Sequence, residues 1–167
     1  MKNTLRMALI ISGISWVVGC KTTSDPQTKI AGNYAYTTQC VGIEGDGTQT
    51  LKVWGSGRNR SDALEQACKN AVYDVLFKGI KDGKSECETL PLVSEVNARQ
   101  KYEPYFNNFF TDGGEYKKYI SMADEHTKYK GERERKNGTG ADTYAAIVIV
   151  KRPQLKEKLI QDGILSK

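Results

Sequence analysis

Residues 53–72, VWGSGRNRSDALEQACKNAV, leave little room for any arrangement other than a strand that runs straight into a helix. Val53 and Trp54 end an apolar, alternating stretch, and Gly55 and Gly57 follow at once. Ser61 is the predicted N-cap, and Asp62 stands in the first turn, where the helix dipole favours an anion. Leu64, Ala67, Cys68, Ala71, Val72 and Val75 then recur on one face as far as Phe77. A G-x-G between strand and helix is also the setting of a dinucleotide fingerprint. Here the fingerprint fails, because Arg60 occupies the place of the third glycine and no parallel crossover follows. The G-K-[ST] ending of a phosphate loop is missing too. The stretch therefore reads as a tight strand-to-helix turn, with the glycines turning the chain and the alanines forming a close-packed face. A weaker chemical reading remains: the first N–H groups of the helix, with Arg58, Arg60 and Ser61, form a candidate anion site. Its rival is that both arginines are simply solvated on a surface loop.

Around this unit the chain alternates extended and helical signals. Tyr34 to Ile43 favours an extended backbone, EGDG at 44–47 is turn chemistry, and Thr48 to Trp54 alternates, which predicts a hairpin. Gly79 and Gly83 close the helix. A short helical piece is expected at Ser94 to Gln100, another opens at Pro104, and a third runs from Glu115 to Met122 after the DGG breaker. Asn137-Gly138 signals a second hairpin, and Tyr144 to Val150 is apolar enough for a central strand. Pro153 opens a last helix with Leu155, Leu159 and Ile160 on one face, ended by Gly163. Strand pairs joined by short turns predict an α+β domain, an antiparallel sheet of about four strands with helices on one face.

The first twenty residues speak to location. Lys2 and Arg6 precede an apolar run from Met7 to Val18, and Val17-Val18-Gly19-Cys20 ends it. That is the order of a bacterial lipoprotein signal, with Cys20 as the lipidated residue. The run is shorter than the roughly 20 residues a membrane-spanning helix needs. A diacylglyceryl group with an amide-linked chain supplies the two hydrophobic signals that stable anchoring requires. The expected organisation is a signal peptide at 1–19, a polar tether at 20–32 and one α+β domain at 33–167.

Loss of the leader removes Lys2 and Arg6 but no acidic residue, so the charge falls from +5 to +3. Basic residues are interleaved with acidic ones, as in KYKGERERK, which argues against nucleic acid as a partner. Three cysteines remain besides Cys20. Cys68 falls on the apolar helix face and reads as a small buried hydrophobe, leaving Cys40 and Cys87 as the favoured disulfide in an oxidising envelope.

Catalytic chemistry has little material. His126 is the only histidine and sits in the polar run ADEHTKYK, without a nucleophile motif around it. Asp124, Glu125, Glu132 and Glu134 are paired carboxylates in sequence only. No metal-ligand spacing occurs, and neither metal nor cofactor is expected. Tyr102, Tyr105, Phe106, Phe109 and Phe110 recur at helical spacing. Phe106, Phe109 and Phe110 read as core packed on the sheet. The competing reading makes Tyr102, Tyr105 and Phe106 an exposed contact surface for a glycan, peptidoglycan or a protein.

The glycine pair and alanine spacing of VWGSGRNRSDALEQACKNAV, at Gly55, Gly57, Ala63, Ala67 and Ala71, resemble the twenty-kilodalton outer-membrane lipoprotein family and the N-terminal domain of flagellar assembly protein T. CVG at 40–42, DVLFKGI at 74–80 and EVNARQKYEPYFNNFF are similar to uncharacterised secreted lipoproteins of Bacteroidetes. These resemblances imply an envelope protein on a small α+β fold and bring no catalytic site with them. The expectation is a non-enzymatic lipoprotein with a structural or adaptor role, attached through lipid on Cys20 to the outer membrane, with an envelope protein or the cell wall as its partner. A ligand-binding module for peptidoglycan, glycan or a small anion is the alternative.

Overall fold

A computed structural model describes residues 37–87, 90–123, 135–137 and 142–166. Its sheet is built around the hairpin of β1 (Gln39–Ile43) and β2 (Gln49–Gly57), antiparallel with a bulge between Cys40 and Gly42. The turn closes as its residues dictate. Gly47 takes φ 85°, its N–H donates to the Glu44 carbonyl at 2.9 Å, and the Asp46 carboxylate accepts from the Thr48 N–H at 2.9 Å.

Strand β2 continues past Trp54 and pairs along its whole length with β6 (Asp142–Val150), from Gln49 opposite Val150 to Gly57 opposite Asp142. Both glycines therefore lie inside a strand, not in the turn expected of them. Their reason is the helix above. In α1 (Arg60–Tyr73), Ala63, Ala67 and Ala71 are fully buried. A Cβ on Gly55 would stand 2.1 Å from the Ala63 carbonyl oxygen and 2.3 Å from the Ala67 nitrogen. One on Gly57 would stand 2.5 Å from the Ala63 nitrogen. Glycine facing alanine lets the helix backbone rest directly on the strand. The cap also differs from the expectation: Asn59, extended at φ −145°, accepts from the Asp62 N–H at 3.0 Å, and Ser61 is an exposed residue of the first turn. Asparagine one residue ahead of Arg60 has the same capping chemistry as serine and reaches the third N–H first.

The helix loosens into a π-turn at Asp74–Lys78, ended by Gly79 at φ 73° with its N–H on the Asp74 carbonyl at 2.7 Å. Carbonyls of Val75 and Leu76 accept from Leu92 and Val93 at 3.0 and 2.8 Å, so a loop supplies what the widened turn leaves unpaired.

Among the described residues, three short strands complete a six-stranded sheet, ordered β3-β1-β2-β6-β4 with β5 also on β6. β3 (Asp82–Gly83) pairs in parallel with β1, whereas β4 (Ile120–Met122) and β5 (Arg135–Asn137) pair antiparallel with β6. Helix was expected through Met122, but a 3-10 turn at Glu115–Tyr119 stops where β-branched Ile120 meets Val150. The remaining helices are α2 (Ala98–Lys101), α3 (Glu103–Phe109) and α4 (Arg152–Gln161), with Pro104 and Pro153 in the first turns of the last two.

One face of the sheet, carrying Leu51, Val53, Ala146, Val148 and Val150, shares a single core with Ala67, Ala71, Phe106, Phe109, Leu155 and Leu159. The architecture is α+β, a mostly antiparallel sheet with helices packed against it. Phe106 is 2% exposed and stacks edge-on to Phe77 and Tyr105. Each such buried phenylalanine stabilises the fold by about 2–3 kcal/mol. A disulfide joins Cys40 of β1 to Cys87, with a Cα separation of 6.3 Å.

Candidate functional site

Opposite its alanine face, α1 carries Asp62, Glu65, Gln66 and Lys69, spaced to share one side of the helix. These side chains form one wall of an open cleft of about 480 Å³. Its other walls are the end of β2 with Arg58, and the 112–117 segment, which brings Asp112, Gly113 and Lys117. Gly113 takes φ 73°, and the Gly114 N–H closes the turn on the Thr111 carbonyl at 2.8 Å, which carries the segment over α1.

Charges in the cleft are matched one to one. Arg58 pairs with Asp62 at 2.9 Å, Lys69 with Asp112 at 2.6 Å, and Lys117 with Glu65 at 2.8 Å. The buried Tyr116 donates its hydroxyl to the other oxygen of Glu65. Partial burial works to raise the pKa of Glu65, but hydrogen bonds from Lys117 and Tyr116 outweigh it and leave the carboxyl below its ordinary range. The hydrogen bond from Lys69 likewise lowers Asp112, and Glu65 raises Lys117. The Glu65–Lys117 pair is therefore held in its charged form at neutral pH.

Cys68 adjoins this wall, half-buried and free, with its Sγ 3.9 Å from the Met122 sulfur. Burial, and then the charge of Glu65, push its pKa up to about 11, so the thiol stays protonated and unreactive near neutrality.

The residues singled out from sequence are dispersed. Arg58 and Ser61 line the cleft, whereas Arg60 is exposed and does not. Of the aromatic surface, Phe106 is core; the fold places it under the helices because the apolar spacing of α3 points inward. Tyr105 is half-buried and donates to Asp162 at 2.6 Å, and Tyr102 is half-buried beneath the Lys101 ammonium, 5.0 Å from its ring centre. Cys20, His126, Asp124, Glu125, Glu132 and Glu134 lie outside the described residues. Among the described residues, no group of three or more His, Cys, Asp and Glu side chains could hold a metal ion, and no helix is long and apolar enough to cross a membrane.

Glu65, Lys69, Asp112 and Lys117 were not among the sequence candidates. The four-residue step from Glu65 to Lys69 marks an exposed helix face, which is a local signal. Nothing local links that face to Asp112 and Lys117. In comparisons with protein-family models, curated proteins and solved structures, the chain matches none.

Proposed function

We propose that the chain is a non-enzymatic lipoprotein of a bacterial envelope, held by lipid on Cys20 at the outer membrane and acting there in a structural or adaptor role. The observation that carries this reading is Val17-Val18-Gly19-Cys20 behind a basic start and a short apolar run. The Cys40–Cys87 disulfide supports it, since such bonds persist in oxidising compartments outside the cytosol. A domain on a lipid anchor acts through its surface, and the cleft along α1 is a shaped polar surface in the described part of the chain. A Cys20→Ala variant tests the anchor. Wild-type protein is expected in the membrane fraction and labelled by palmitate, and the variant is expected unlabelled and released. Equal membrane recovery of both would overturn the reading.

The cleft also favours a second reading, in which the anchored domain is a ligand-binding module. It needs no change in the account of Cys20.

A further inference from the structure

We propose that the cleft along α1 takes a short zwitterionic peptide of about three residues, its ammonium on Asp62 and its carboxylate on Lys69. The proposal stands whether or not Cys20 carries lipid.

Two of the ion pairs in the cleft are lopsided. The Asp62 side chain is 35% exposed and its partner Arg58 is 91% exposed. Lys69 is 19% exposed and its partner Asp112 is 93% exposed. In each pair the member on α1 is held against the protein, and the other stands in water. Exposed pairs of this kind are weak, so the outer member yields readily to a ligand group of the same sign. Glu65 differs, because Tyr116 and Lys117 hold both its oxygens. That leaves one carboxylate and one ammonium on α1 whose partners can be exchanged.

Their separation selects the ligand. Asp62 and Lys69 lie seven residues apart, about 10 Å along the axis at about 1.5 Å per residue. Three residues of extended peptide span about the same length. Ser61 and Gln66 lie along the same cleft and offer a hydroxyl and an amide oxygen to peptide bonds, the Gln66 amide nitrogen donating to Asn70 at 2.8 Å. Other ligand classes fit worse. A polyanion would confront Asp62 and Glu65, a polycation would confront Lys69 and Lys117, and the lining offers no aromatic ring for a sugar to stack on.

The test is calorimetric titration of the full chain in detergent micelles with Ala-Ala-Ala bearing free ends, its N-acetylated and C-amidated forms, and inorganic phosphate. Saturable binding of the free peptide is expected, weakened about five-fold or more by blocking either end. Lys69→Gln should abolish it. Asp112→Asn and Arg58→Gln remove the competing outer groups, so each should tighten binding by about two- to five-fold. A gain of that kind cannot come from misfolding. Absence of saturable binding, equal binding of the blocked peptides, phosphate binding as tightly as the peptide, or no gain in Asp112→Asn would each overturn the proposal.

Discussion

On its inner side α1 sets Ala63, Ala67 and Ala71 against the bare backbone of Gly55 and Gly57, with no room for one added carbon. On its outer side Asp62 and Lys69 meet partners that are 91% and 93% exposed. The same fourteen-residue helix thus has one face fixed by steric exclusion and another whose contacts exchange with solvent. The inner face sets how closely the helix lies on the strand. The outer face then depends on it, since the cleft exists only if α1 holds its height above β2.

The strongest way to break that comparison is Gly55→Val. Its Cβ would fall 2.1 Å from the Ala63 carbonyl oxygen, a backbone atom that moves only if the helix moves. A loss of about 3 kcal/mol or more is expected, at the upper end of overpacking costs, read as a lower urea midpoint. A midpoint within error of wild type would mean that the glycine pair does not set the helix height.

How much of this was legible depends on whether the cause is local. The β1–β2 hairpin, α1, β6 and α4 each carry a period or a punctuating Gly or Pro, and each exists where the pattern placed it, although β2 runs on through Gly57 and α1 is capped by Asn59 and loosens at Asp74. β3 and β4, of two and three residues, are too short to have a period and exist because β1 and β6 offer unpaired edges, whereas β5 was signalled by the Asn137-Gly138 dipeptide at its end. Gly55 and Gly57 were visible as special, but a glycine that turns a chain and one that admits a helix look alike until the neighbour is known. The step of four through Ala63, Ala67 and Ala71 was the available clue. The cleft was half legible: its wall on α1 shows in the spacing of charges, but Asp112 and Lys117 arrive from a segment more than forty residues on.

The middle of the scale belongs to Glu65, the outer-face group most firmly held. Its folded-state pKa lies below the ordinary 4.5, so it contributes stability above that pH and loses the contribution as pH falls through the lower folded value. Glu65→Gln should cost about 0.5 kcal/mol at pH 7, after allowance for solvent screening. The gap between wild type and variant should close in acid, below the ordinary carboxylate range. Urea midpoints at pH 7 and pH 3 check it, and a gap that persists in acid would assign the effect to packing against Tyr116.

Arg58→Gln carries the smallest expected effect on stability and the sharpest use. With its side chain 91% exposed and its ion pair with Asp62 at the surface, its loss should leave the stability within about 0.5 kcal/mol of wild type, at low and high salt alike. The same substitution frees Asp62 and is expected to tighten the zwitterionic tripeptide. A variant that is neutral in unfolding and positive in binding would show that the outer face of α1 carries ligand contacts without carrying the fold. Destabilisation comparable to Gly55→Val would instead make the two faces equivalent, because Arg58 would then fix the strand end as tightly as the glycines fix the helix.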